Sequence, residues 1–162
     1  MIMATEIEDD MRRQVEALHT RYIRVIDDDR LEEWPDLFTE NCLYKIITRE
    51  NFDQGMPLGI MECRGRGMLQ DRVTGLRRIN VYEPQRYLHQ TSGLVVKRTD
   101  ARNVKCRSNY LVVRTLAEGA MSLFSAGVYL DKVVVGADSA KFEERIVVTD
   151  SRRVDTLLVI PL

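Results

Sequence analysis

The sequence predicts an α+β fold in which two or three helices near the N-terminal end cover one concave face of a strongly curved antiparallel or mixed sheet. Two observations support this class. Apolar residues recur at helical spacing early in the chain, whereas the region after Lys105 consists of long strand-like runs separated by short polar breaks. At 162 residues, the chain is expected to form one domain over residues 1–162.

The first helix is predicted over residues 6–26. Thr5 and Glu8 have the spacing of a capping box, in which each side chain bonds a free backbone N–H of the first turn. The apolar residues that recur at steps of three and four are Ile7, Met11, Val15, Leu18, Tyr22 and Val25. Asp27 to Asp29 then place negative charge where the helix dipole favours cations, so we expect the helix to end there.

The middle of the chain alternates between helix, strand and loop. Leu31, Trp34, Leu37 and Phe38 predict a second, short helix that tolerates Pro35 in its first turn. Residues 42–48 predict a strand and residues 51–59 a loop rich in glycine and proline. A third helix is predicted to begin at Gly67 and to end before Pro84, with Leu69, Val73 and Leu76 on one face.

The remaining residues predict strands joined by short turns. Their expected ranges are 87–97, 104–116, 120–135, 140–149 and 154–162. Gly93 and Gly127 lie inside predicted strands and are expected to mark bulges or bends that curve the sheet.

Composition excludes several classes of function. Net charge is −1, so neither a nucleic acid nor an anionic membrane is indicated as a partner. No apolar run approaches the roughly 20 residues that span a bilayer, and the acidic start lacks the features of a signal peptide. Cys42, Cys63 and Cys106 are widely spaced, and an odd number cannot pair fully, which predicts free, buried thiols in a reducing cytoplasm.

Known catalytic patterns are also missing from the sequence. His19 and His89 are the only histidines, and no Cys or His spacing typical of a zinc or iron–sulfur site occurs. His19 is expected at the boundary of the helix stripe. The Gly65-Arg66-Gly67 segment lacks the spacing of a phosphate-binding loop, and no G-x-S-x-G is present. We therefore predict no metal or cofactor on this chain.

One enzymatic hypothesis remains from the residues. His89 would serve as a proton shuttle if Asp27 or Asp28, together with Tyr44 and Tyr110, converged on it inside the sheet. The alternative is a strand histidine that bonds a backbone group or lies in a subunit contact. The arginine-rich residues 64–78 are expected to form a solvated or intersubunit face.

The order of several segments resembles a known family, the small (β) subunits of bacterial aromatic-ring-hydroxylating dioxygenases, and in particular the branch that oxidises aromatic acids. The segments are DDDRLEEWPDLFTENCLYKI from Asp27, TREN from Thr48, RGMLQDRVTGLRRINVYEPQRYLH from Arg66, RSNYLVVRT from Arg107, the G-x-Y-x-D of Gly127, Tyr129 and Asp131, and the final TLLVIPL. Many members have Arg, Asn and Trp where this sequence has Leu88, Gly93 and Phe142.

The resemblance implies a cone-shaped sheet with covering helices, as in nuclear transport factor and scytalone-dehydratase-like proteins. It also implies a structural, non-catalytic chain that packs with its own copies and a larger catalytic chain in a three-fold assembly. The Rieske cluster and the mononuclear iron would lie on that larger chain, which adds dioxygen to an aromatic acid. Arg107, Arg114 and Tyr129 are the candidate interface residues. A stand-alone isomerase or dehydratase, or a small-ligand-binding module, remains the alternative.

Overall fold

The computed structural model describes residues 9–79, 82–152, 158 and 160–162. Its helices are α1 (Asp9–Asp27), a 3-10 helix (Leu31–Leu37), α2 (Arg49–Asp53) and α3 (Arg66–Arg78). Its strands are β1 (Phe38–Thr48), β2 (Met61–Arg64), β3 (Gln85–Arg98), β4 (Asn103–Leu116), β5 (Met121–Val135) and β6 (Ala140–Thr149), in the order β2-β1-β6-β5-β4-β3. β1 and β6 are parallel and the other pairs antiparallel. The predicted α+β class with a mixed sheet is confirmed.

Helix α1 forms because its apolar residues lie on one side that the sheet covers. The predicted stripe from Met11 to Val25 is buried, and the helix ends at Asp27, as the charge pattern indicates. Thr5, Ile7 and Glu8 lie outside the described residues. α1 packs against β3, β5 and β6, while α3 packs against β1 and β2. No helix among the described residues is both long and apolar enough to cross a membrane.

Three predictions for the middle of the chain need correction. The second helix is a 3-10 helix that ends at Leu37. Phe38 already belongs to β1, which starts four residues before the predicted residue 42 because Phe38 pairs with Phe142 of β6. The predicted loop contains part of α2, which begins where the Thr48 side chain accepts a bond from the Asn51 N–H. No sequence pattern indicates the four-residue strand β2, which pairs with β1 at one edge of the sheet.

The long C-terminal strands lie close to their predicted ranges. In β4, residues 104, 106, 108, 110 and 112 are buried and residues 105, 107, 109 and 111 are exposed, as strict alternation requires. The strand predicted at 154–162 falls partly outside the described residues. Those that are described, Leu158 and residues 160–162, are buried but do not form a strand.

The two glycines inside strands, Gly93 and Gly127, have different structural roles. Gly93 has φ 63° and lies where the β3–β4 register shifts, so the predicted bulge is confirmed there. Gly127 pairs in register with Tyr110 and Thr149 and marks no bulge. A Cβ atom at residue 127 would lie 2.0 Å from the Val148 carbonyl oxygen, so glycine is required there for close backbone approach.

Replacing Gly127 with alanine is expected to lower the free energy of unfolding by about 3 kcal/mol or more, because the backbone of β6 must move. Gly75→Ala in α3 is the matched control, since its Cβ would meet no atom within 4 Å. That variant should gain roughly 0.5–1 kcal/mol from helix propensity. Urea unfolding of both variants is the measurement, and equal stabilities would contradict the close approach at residue 127.

Candidate functional site

Asp27 and His89 form a tight buried pair between the end of α1 and the middle of β3. His89 Nδ1 lies 2.6 Å from Asp27 Oδ1, and the His89 backbone N–H donates to Asp27 Oδ2 at 2.9 Å. One carboxylate thus accepts from both the ring and the main chain of the same residue. With Nδ1 as the donor, Nε2 carries the lone pair and has no hydrogen-bond partner among the described residues.

The other predicted members of this site do not join the pair. Asp28 is exposed and faces Arg30, at 3.6 Å. The hydroxyl of Tyr44 bonds the backbone of Leu162, and the hydroxyl of Tyr110 bonds Ser125 Oγ at 3.0 Å. The structure therefore brings together only two of the five candidates.

Access to the pair is closed in this conformation. The His89 side chain has no exposed area, and that of Asp27 is 10% exposed. Inside the cone, a cavity of about 10 Å³ remains beside Ile46, Phe124, Leu158 and Leu162, which is space for about one water molecule. The two hydrogen bonds of the pair connect the end of α1 to β3.

A second buried polar cluster lies where α1 crosses β5 and β6. Arg145 donates to both carboxylate oxygens of Asp131, from Nε at 2.8 Å and from Nη2 at 2.9 Å. The same Nη2 lies 3.4 Å from His19 Nδ1. His19 is therefore buried in the core, and the prediction that it lies at the boundary of the apolar stripe of α1 is wrong.

Three aromatic rings enclose the Arg145 guanidinium. Its central carbon lies 4.1 Å from the ring centroids of Tyr22 and Phe142 and 4.2 Å from that of Tyr129. Such contacts stabilise a cation that has lost its water, and the bidentate carboxylate neutralises it. Burial lowers the pKa of Arg145, but the neighbouring Asp131 carboxylate raises it more, so this pKa lies above its ordinary value.

This cluster shifts the ionisation of its neighbours. Burial, with a further contribution from the Arg145 charge, lowers the pKa of His19 from 6.5 to about 4. His19 is therefore neutral at pH 7, and Nδ1 accepts from Arg145. Burial also raises the pKa of Cys106 to about 12. Cys42, Cys63 and Cys106 are all free and buried, which confirms that prediction.

The three candidate interface residues have different environments. Arg107 is exposed on the outer face of β4. Arg114 is buried, with its guanidinium 4.6 Å from the Phe124 ring centroid. Tyr129 is fully buried and stacks on Tyr110 with ring centroids 4.5 Å apart, so it is a core residue and its assignment to a subunit contact needs correction.

Asp131 and Arg145 were not identified as a charged pair from the sequence, although the pattern of apolar residues around them indicates that both side chains are buried. Asp131 follows Tyr129 by two positions, so both side chains point to the same face of β5. Arg145 has apolar Val147 two positions later on β6. A charge on the apolar face of each strand predicts a buried ion pair once the strands are known to be neighbours.

Stability should fall in mild acid because of His19. The pKa of His19 is lower in the folded state than in the unfolded state. The contribution of neutral His19 to the free energy of unfolding is therefore fully present above pH 6.5 and is lost as the pH falls towards 4. Between pH 7 and pH 5 this one group accounts for roughly 2 kcal/mol. Urea unfolding of wild type and His19→Gln at both pH values measures it. An equally steep loss in the variant would show that other groups cause the effect.

Comparison with known proteins covers nearly all of the chain. The model of the ring hydroxylating beta subunit family matches residues 21–156. The small subunit of anthranilate 1,2-dioxygenase from Burkholderia cepacia is 42% identical over 149 residues, which is 92% of each chain. A beta subunit of the terminal oxygenase component of terephthalate 1,2-dioxygenase from a Comamonas species is 35% identical over 92% of this chain and 97% of its own.

Solved structures agree with these matches. A beta subunit assigned to an aromatic-ring-hydroxylating dioxygenase of Novosphingobium aromaticivorans superposes with TM-score 0.86 and 33% identity, over 96% of this chain and all of that one. A protein of the same organism assigned as a scytalone dehydratase shares the fold alone, with TM-score 0.70 and 18% identity over 94% and 95% of the two chains. The predicted cone fold is confirmed. The chain belongs to the family of ring hydroxylating beta subunits.

Proposed function

We propose that this chain is the structural small subunit of a dioxygenase that acts on an aromatic acid of the anthranilate or terephthalate kind. The observation that carries the proposal is the 42% identity to an anthranilate 1,2-dioxygenase small subunit along 92% of both chains. Its partner is a large catalytic subunit, which would carry the Rieske cluster and the mononuclear iron. Among the described residues, no three His, Cys, Asp or Glu side chains form a group that would hold a metal ion.

The interior geometry supports a structural role. Asp27 binds the main chain as well as the ring of His89, and neither residue lines any of the four cavities described for this part of the chain. A general acid or base must come within hydrogen-bond reach of its substrate. The pair holds α1 and β3 together instead.

The outer surface supports assembly. Five large apolar side chains on β3, β4 and β5 are exposed: Leu88, Val95, Leu111, Met121 and Leu123. Leu88 pairs with Val113, which pairs with Leu123, so they form a row across three strands on the outer face of the sheet. Contiguous apolar surface of this kind is typical of protein–protein contacts. We propose that the outer face contacts the large subunit or other copies of this chain in a three-fold assembly in the cytoplasm.

Co-expression with a Rieske-type large subunit from the same genome tests the proposal. We expect the two chains to purify together, in equal numbers and with a mass that corresponds to three copies of each. Size-exclusion chromatography with light scattering measures both quantities. The proposal would be refuted if the large subunit assembled and were active without this chain, and this chain purified separately from it.

Variants of the buried pair separate structure from catalysis. His89→Gln and Asp27→Asn should each lower the free energy of unfolding by about 1–3 kcal/mol, because a buried polar group loses its partner. Turnover per assembled complex should stay within twofold of wild type. A loss of a hundredfold or more in turnover, with assembly and stability intact, would instead assign the pair to acid–base chemistry.

Arg107 offers a test of the outer face. Arg107→Glu should reduce co-purification with the large subunit at least fivefold, because a charge-assisted bond at a contact becomes a repulsion. The matched control is Arg13→Glu on the exposed side of α1, which should assemble normally. Identical assembly of the two variants would remove Arg107 from the interface.

A further inference from the structure

A groove of about 450 Å³ crosses the outer face of the sheet beside α2. One row of paired residues runs across its four strands: Val95 on β3, Arg107 on β4, Leu130 on β5 and Ile146 on β6. Phe52 of α2 borders the same groove, and Phe52 and Val95 are 40% and 61% exposed. The groove therefore presents apolar surface to the solvent.

A second row, two positions further along each strand, consists of cations. Lys97 on β3 lies directly opposite Lys105 on β4, and Lys105 lies directly opposite Lys132 on β5. All three are exposed, and only Lys132 has a partner there, Glu144 at 3.1 Å. Residues directly opposite each other on neighbouring strands have Cβ atoms about 5 Å apart, and like charges in this arrangement destabilise a sheet. An anion bound on this face would relieve the repulsion.

Three cations of the groove have no anionic partner within the chain. Among the residues that the structure describes, no carboxylate forms an ion pair with Lys97, Lys105 or Arg107. Asp131 also borders the groove, but Arg145 neutralises it. The unpaired cations lie beside the apolar row, so this surface complements a partner that is both acidic and apolar.

On the basis of the function proposed above, we propose that this surface, the cationic groove, binds a segment of the large catalytic subunit that places at least two carboxylates beside an apolar side chain. The carboxylates pair with Lys97, Lys105 and Arg107, and the apolar side chain covers Val95 and Phe52. The contact thus has a defined place on the outer face and a defined chemistry.

The apolar row favours a protein over a polyanion such as a nucleic acid. Phosphates would pair with the cations but would leave Val95 and Phe52 exposed to water. Four positions after Arg107 on the same face of β4 lies Leu111, which belongs to the exposed apolar surface described above. One protein partner therefore covers both regions of the outer face.

A second copy of this chain is a poorer match for the cationic groove. Its most acidic stretch, residues 27–36, contains six carboxylates. Each of them already lies within 3.6 Å of an arginine or histidine of the same chain, as in the pairs of Asp28 with Arg30 and of Asp36 with Arg66. Docking of that stretch would break these pairs, so we assign the groove to the other chain of the complex.

Removal of two charges tests the cationic groove. Lys97→Gln combined with Lys105→Gln should weaken binding to the large subunit about tenfold, because two charge-assisted contacts are lost. In the free chain, the same substitutions should raise the urea midpoint at low salt, since the repulsion across the strands disappears. Biolayer interferometry measures the affinity. The matched control is Arg13→Gln combined with Arg24→Gln on the exposed side of α1, which should leave the affinity unchanged.

Salt dependence and cross-linking provide independent readouts. The affinity of the wild-type chain should fall as NaCl rises from about 50 to 500 mM, because salt screens exposed charges. The affinity of the Lys97→Gln/Lys105→Gln variant should fall less steeply. Carbodiimide cross-linking of the wild-type complex, followed by mass spectrometry, should join Lys97 or Lys105 to an aspartate or glutamate of the large subunit.

The outcomes separate this inference from the function on which it rests. Equal affinity and equal salt dependence of the wild type and the Lys97→Gln/Lys105→Gln variant would overturn the inference and leave the proposed function intact. Cross-links from these lysines to another copy of this chain would also overturn it, because the occupant would then be a second copy. If the wild-type chain did not bind the large subunit at all, the proposed function would fail, and the inference with it.

Discussion

Arg145 and Asp131 form a buried, bidentate ion pair at the place where α1 crosses β5 and β6. The two residues lie opposite each other on β6 and β5, and the guanidinium is enclosed by Tyr22 of α1 and by Tyr129 and Phe142 of the sheet. A buried cation of this kind is tolerated only with its partner present, and removal of one member costs roughly 3–5 kcal/mol. The pair therefore fixes where α1 crosses the sheet and which side chains fill the centre.

That packing supports the structural role proposed for this cone fold. The protein assigned as a scytalone dehydratase has the same fold, yet fold alone does not determine function. Here the aromatic rings around Arg145 fill the centre of the cone. The main-chain oxygen of Leu162 accepts hydrogen bonds from the hydroxyls of Tyr22 and Tyr44. His89 and Asp27 retain a geometry suited to proton transfer, but their bonds connect α1 to β3 and their side chains are enclosed.

Much of this architecture follows from local patterns, and the remainder depends on long-range contacts. Alternation in β4 and the apolar stripe of α1 predict their buried faces correctly because each depends on residues a few positions apart. β2 was missed because four residues carry too little pattern, and its strand state comes from pairing with β1. Sequence reasoning placed Asp27 near His89, 62 positions away, yet it could not foresee that Tyr44 would bond Leu162 or that Tyr129 would stack inside the core.

In the proposed function, this chain supports a catalytic partner and performs no turnover itself. Native mass spectrometry of the purified complex, combined with iron analysis of each separated subunit, tests it most directly. We expect equal numbers of the two chains, with all iron on the large subunit and no turnover of the aromatic acid by this chain alone. Iron bound to this chain, or turnover without the large subunit, would contradict it.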